Sequence, residues 1–218
     1  MPERNFEESP TPVFTAKRPS RGKALTAIGK QLFIFKRNMD KKNSFNLFVR
    51  YALRKTKNEI KDRIKAAAKT SGADVVITEI GGTVGDIEGK IFLESIRQFA
   101  NDVGRRNVMF IHLTLAPYLE KSGELKTKPT QMSARELLEN GIQADMLIVR
   151  TPRMLTAGER DKIGMFCNIP AKNVISGIDV DNIYKIPLAY EAQHVFDIIA
   201  DHFGLPHARG DMTRFDRI

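Results

Sequence analysis

Apolar positions in this chain change period repeatedly between residues 57 and 203. From Lys57 to Thr70, Ile60, Ile64, Ala67 and Ala68 share one helical face, and Glu59 and Arg63 stand four apart on another. That spacing predicts an amphipathic helix ending near Ser71 and Gly72. Val75, Val76 and Ile77 then form a continuous β-branched run, the pattern of a strand buried on both faces of a parallel sheet. Gly81, Gly82 and Gly85 close it with a turn able to take positive φ. After the turn, Phe92, Leu93, Ile96, Phe99, Ala100 and Val103 recur at helical spacing, with Gly104 placed as a C-terminal cap.

The alternation continues to the end of the patterned region. Asn107 to Leu115 reads as a buried strand containing His112, a lone histidine more often hydrogen-bonded in a core than catalytic. A helix is expected where Ser133 and Glu136 stand in capping-box spacing, and Gly141 ends it. Ala144 to Arg150 is a further strand, Gly158 to Cys167 a helix and Asn173 to Ser176 a short strand. Leu188, Ala192, Val195, Ile199 and Phe203 then mark one last amphipathic helix. Strand and helix in turn predict an α/β fold: a mostly parallel sheet with helices on both faces, joined by right-handed crossovers.

The flanks are different. Residues 1–30 combine Pro10, Pro12 and Pro19 with Ser, Thr and scattered basic residues and show no apolar period, so they are expected to form a flexible basic tail. Residues 31–205 are expected to form the single domain and 206–218 a polar C-terminal tail. Gly22, Gly29 and Lys30 raise the question of a phosphate loop, but Ala24 and Gln31 break the pattern and no buried strand precedes it. Leu32 to Phe35 is a short apolar run of undecided type, and Lys36 to Lys42 a basic segment around Asp40.

Composition narrows the function classes. A chain of 218 residues with 42% hydrophobic and 28% charged residues can bury a sizeable core. No apolar run approaches a membrane span, and the start of the chain, with Glu3, Glu7 and Glu8, is not a signal peptide; cytoplasmic residence is the expectation. The single cysteine, Cys167, rules out an internal disulfide and reads as a small buried thiol. The formal charge of +9 is uneven: residues 1–70 hold 18 Lys and Arg against 6 Asp and Glu, and residues 71–218 hold 17 against 20. A basic front third attracts phosphates of any kind, nucleic acid included, without selecting one.

Two stretches carry candidate chemistry. Glu79, Asp86 and Glu88 gather three carboxylates on the glycine turn, which is predicted to sit at the carboxyl edge of the sheet, where open α/β sheets bind ligands. A cation or sugar hydroxyls would relieve their repulsion; the competing reading is a solvated acidic loop with Asp86 capping the next helix. The second stretch, Lys121 to Gln131, sets Lys126 and Lys128 among hydroxyls and the Gln131 amide just before a helix N-terminus. Helix amides and lysines together suit a polyphosphate; a solvated basic turn is the plainer alternative.

Longer motifs now fall into order: Glu79-Ile-Gly-Gly-Thr-Val-Gly-Asp-Ile-Glu88, Ile111-His-Leu-Thr-Leu115, Gly123-Glu-Leu-Lys-Thr-Lys-Pro-Thr-Gln131, Gly141-Ile-Gln143, Phe166-Cys-Asn168 and Asp179-Val-Asp-Asn-Ile-Tyr-Lys-Ile-Pro187. Together they resemble the N-terminal synthetase (amidoligase) domain of CTP synthase, over roughly residues 57 to 205. The resemblance implies a P-loop NTPase-like, Rossmann-like three-layer fold and an ATP-dependent amination of UTP to CTP with Mg2+. It implies Glu79 as a metal-binding acid. Asp86, Ile87 and Glu88 would contact the pyrimidine nucleotide, chiefly CTP as feedback inhibitor. Lys126, Thr127, Lys128, Pro129, Thr130 and Gln131 would hold the UTP or CTP phosphates, with Lys162 as a further nucleotide contact, and Asp179 and Val180 would lie on the ATP side.

The departures from that pattern bear on activity. The family's first strand and its glycine-rich ATP loop are not recognisable, a second metal-binding Asp has no clear counterpart, and Met132 and Ile178 replace usual residues. The family's glutaminase domain is not recognisable in these residues, so ammonia is expected from outside or from a partner chain. Two functions are therefore carried forward: a ligase domain using ammonia, and a pyrimidine-nucleotide-binding module without ATP chemistry. Either is expected to form a homo-oligomer or to associate with a full-length synthase. Nucleic-acid binding by the basic front third is a third, weaker reading.

Overall fold

In the computed structural model, residues 41–207 and 212–216 are described. The expected tail, the run at Leu32 to Phe35 and the glycines of the broken phosphate loop lie outside them. Helix α1, Lys41–Ser71, starts well before the expected Lys57. A compact unit runs from Thr56 to the end of the chain. Within it, Ile60, Ile64, Ala67 and Ala68 are partly buried, as the spacing requires, and Arg63 donates to Glu59 at 2.9 Å. Lys61 reaches Asp102 at 2.8 Å and so ties α1 to α2, Lys90–Val103.

Among the described residues the sheet is parallel and has three strands: β1, Ile111–Leu115; β4, Met146–Thr151; and β5, Val174–Ile178, in the order β1-β4-β5. Register runs from Ile111 beside Met146 and from Leu147 beside Val174. A small hairpin of β2, Tyr118–Leu119, and β3, Glu124–Leu125, follows β1. Helices cover both faces, as the alternating pattern requires. On one face Leu147, Val149 and Val174 pack with Leu93 of α2, Leu137 of α3 (Lys128–Glu139) and Ile163 of α4 (Ala157–Cys167). On the other, Met146 and Ile175 pack with Val195 and Ile198 of α6, Val195–Phe203, and Tyr190 of α5, Ile186–Glu191. A final short helix α7 spans Thr213–Asp216.

Where β1 and β4 begin, Asp145 is the anchor. It accepts two bonds from Arg105, at 2.7 and 2.8 Å, and one from the Phe110 amide at 2.7 Å. Arg105 also lies 5.0 Å over the Phe110 ring, so one acid fixes the entry to two strands. Cys167 is buried, and burial pushes its thiol up from the ordinary value, as expected of a packing residue.

Besides α1, four elements differ from the sequence pattern. The Val75–Ile77 run is not a strand: Ile77 is 91% exposed, and Val75 and Val76 are exposed too. A β-branched run needs a neighbouring strand to satisfy its backbone, and among the described residues β1 pairs only with β4. Strand β1 starts at Ile111 because residues Arg105–Asn107 take a 3-10 turn after Gly104. Helix α3 starts at Lys128 and not at Ser133, because Pro129 is suited to a first helical turn. The last expected helix is two, broken where His194 takes φ 59° and the Gln193 side chain turns onto the backbone of Ser176.

Candidate functional site

The carboxyl ends of the three parallel strands define one edge of the molecule. From β1 the chain passes Pro117 into the hairpin and returns at Lys126, whose amide donates to Pro117 O at 2.9 Å. Thr127 is the N-cap of α3 but its side chain does not cap the helix. It accepts instead from the Gln131 amide at 3.1 Å. Thr130 is fully buried and donates its hydroxyl to Leu115 O at 3.1 Å, which staples the first turn of α3 to the end of β1. The sequence Lys126 to Gln131 is thus a helix start and not a loop before one. Lys128 and Pro129 are exposed on its first turn.

Two positive side chains, Lys126 and Lys128, stand at this start. Lys126 pairs with Glu124 of β3. That hydrogen bond and the Lys126 charge hold the Glu124 carboxyl below the ordinary range, with a smaller pull from the charge of Lys162 on α4. Lys126 and Lys128 thus stand side by side at one sheet edge, beside the first-turn amides of a twelve-residue helix, and Lys162 is exposed on α4. Such an arrangement attracts an extended anion, because helix N–H groups and lysines add in the same place. In the structure Glu124 stands in for that anion at Lys126.

The neighbouring strand ends complete the edge. Arg150, near the end of β4, donates to Asp179 just after β5 at 3.1 Å, and Val180 follows, partly buried. Thr156 and Glu159 form a reciprocal capping box at the start of α4, a signal present in the sequence as Thr-x-x-Glu and missed there. Glu159 also takes two bonds from Arg153, at 2.8 and 2.9 Å, and these hold its carboxyl at about 2. Thr114 and Thr151, at the ends of β1 and β4, carry buried hydroxyls with no protein partner among the described residues.

The glycine turn is less well gathered. Gly85, at φ 112°, lies so close to Glu136 of α3 that a Cβ would overlap its carboxylate, and Val84 packs on the core. The turn therefore rests against the third turn of α3, and only a glycine fits there. Asp86 accepts from the Thr83 amide at 3.2 Å and closes its own turn; the N-cap of α2 is Gly89. Glu79, Ile87 and Glu88 are exposed. Among the described residues no three His, Cys, Asp or Glu side chains converge as a metal cage, so the expected carboxylate cluster is not assembled. A Mg2+ ion held by one or two carboxylates, waters and substrate phosphates needs no such cage, and Glu79 suits it as one oxygen ligand.

His112 is the hydrogen-bonded core residue its surroundings suggest. Its Nε2 lies 2.9 Å from Ser133 Oγ, and burial pushes the imidazole below its ordinary range, so it is neutral at pH 7. No helix among the described residues is long and apolar enough to cross a membrane.

A family model described as the CTP synthase N-terminus matches residues 46–205. CTP synthase of Bacillus cytotoxicus is 51% identical over 158 residues, or 72% of this chain and 30% of that protein. CTP synthases of Bacillus pumilus and Bacillus thuringiensis are 52% and 49% identical over the same length. The chain spans about 30% of the length of these relatives.

Proposed function

The chain belongs to the CTP synthase N-terminal family, and from that premise we propose that it binds the triphosphate of UTP or CTP at the start of α3. The observation that carries this is the position of Lys126 and Lys128 at the first turn of a helix stapled to the sheet edge; Lys162, exposed on α4, is proposed as a further contact. Lys126 and Lys128 give charge-assisted contacts to phosphate oxygens, and the first-turn amides of α3 add theirs. Lys126 must first leave Glu124. Thr127 and Thr130 do not need to touch the ligand; they fix where the amides point. Asp86, Ile87 and Glu88 are proposed to meet the pyrimidine nucleoside from the glycine turn, and Asp179 and Val180 to border ATP.

In the reaction we assign to this site, the γ-phosphoryl group of ATP moves to O4 of UTP. Ammonia adds at C4, and phosphate departs with O4, which leaves CTP, ADP and phosphate. Mg2+, with Glu79 as a ligand, would neutralise phosphate charge during the transfer. Ammonia comes from solution or from a partner chain. Purified protein with ATP, UTP, Mg2+ and ammonium should form CTP, and no CTP above background would refute the ligase reading.

A second reading has its own observation in favour: Glu79 and Glu88 are exposed on a turn whose expected strand is unpaired. A positioning element held this loosely costs orders of magnitude in rate. In this reading the chain binds UTP or CTP without turning over ATP, and serves alone or beside a full-length synthase. Nucleotide binding without ADP release would select it.

A further inference from the structure

The two edges of the sheet are finished differently. At β5 the Gln193 side chain imitates a neighbouring strand: Ser176 N donates to its Oε1 at 2.8 Å, and its Nε2 donates to Ser176 O at 2.9 Å. Among the described residues strand β1 has no such cover. Phe110 O and Ala116 N are spent on the β4 side, so by alternation the backbone groups of Ile111, Leu113 and Leu115 face outward. Of these Leu115 O is taken by Thr130. The side chains of the same three residues are also open: Leu113 is 69% exposed, Leu115 55% and Ile111 40%.

Sheet edges are normally protected by a charge, a proline or a bulge. Here the chain carries no Asp, Glu, Lys or Arg from Asn107 to Leu119. His112 adds no charge to the edge, because its ring points to the other face and is bonded to Ser133. The strand is also self-complementary. In an antiparallel pair centred on Leu113, Ile111 meets Leu115 of the other copy and Leu113 meets Leu113, so apolar side chains meet on one face. His112 and Thr114 meet on the other.

We propose that β1 pairs antiparallel with β1 of a second copy, joining two three-stranded sheets into one of six strands. The two-fold axis passes through Leu113, and the six exposed apolar side chains form the centre of the contact. A pair of five-residue strands buries less than the roughly 1,200 Å² typical of a stable complex. The dimer therefore dissociates on dilution.

Sedimentation velocity of the full chain over a range of about 1 to 100 µM should show a monomer passing to a dimer. Leu113→Lys sets two like charges opposite each other, so it should raise the dimer dissociation constant at least about tenfold. An unchanged far-UV spectrum would show that it still folds. Leu113→Cys should cross-link to itself with a short bis-maleimide. Met165→Cys, on an exposed site of α4, and the parent with buried Cys167 should not. A parent that stays monomeric throughout, or a dimer indifferent to Leu113→Lys, overturns the proposal. So does a monomer whose Val75 to Ile80 amides exchange slowly, since the chain's own segment would then occupy the edge.

Discussion

The start of α3 and the glycine turn are equally strong motifs in the sequence, yet the fold treats them differently. Lys126 to Gln131 is held at four points: Pro117 O, Leu115 O, the Thr127–Gln131 bond and the hairpin pairing. Asp74 to Ile80 has exposed β-branched residues and belongs to no sheet. The lesson is that a motif inherits its geometry from its neighbours. A helix N-terminus brings its own donors and needs one tether, whereas a buried parallel strand needs a partner on at least one side.

The comparison can be broken at several points, beginning with the largest effect. Replacing both Lys126 and Lys128 by Ala should weaken UTP and CTP binding about a hundredfold or more, since charge-assisted bonds contribute roughly 1.5–3 kcal/mol each; calorimetry checks this. Thr130→Val removes the staple to Leu115 O and leaves that oxygen without its partner. It should cost about 1–2 kcal/mol in urea unfolding and weaken UTP binding.

Glu159 sharpens the picture at α4. Its folded value of about 2 lies below the ordinary 4.5, so its stabilisation is whole above pH 4.5 and is lost as pH falls toward 2. Glu159→Gln should cost about 1 kcal/mol at pH 7, once solvent screening of the partly exposed Arg153 is discounted, and should flatten the stability profile in that window. Glu124→Gln should free Lys126 and raise UTP affinity a few-fold, the small effect expected of a surface ion pair. Ile77→Ser should change stability by less than about 0.5 kcal/mol, as at an exposed position; a larger loss would mean that the run is packed after all.

Much of the layered fold was legible from periodicity. The helix at Lys90–Val103, the strand at Met146–Thr151 and the helix at Ala157–Cys167 follow from spacing 3.6 or from unbroken apolar runs. Positive φ at Gly104 and Gly141 fits their places after helices. What could not be read was tertiary. Nothing local says that Val75 to Ile77 lacks a strand to pair with. Ser133 and Glu136 look like a capping box, but Pro129 and the Thr130 bond to Leu115 pull the helix start forward by a turn and free Ser133 for His112. Likewise Gln193 breaks the last helix only because the β5 edge lies within its reach. Lysines 126, 128 and 162 were individually visible, but the pairing of Lys126 with Glu124 depends on the β2–β3 hairpin.

The measurement that bears most directly on the account is a calorimetric titration of the purified chain with UTP, CTP and ATP separately, each with Mg2+. Saturable binding of UTP or CTP that disappears when Lys126 and Lys128 are both Ala is the predicted result. Flat titrations with both pyrimidine nucleotides, or binding indifferent to those lysines, would contradict it.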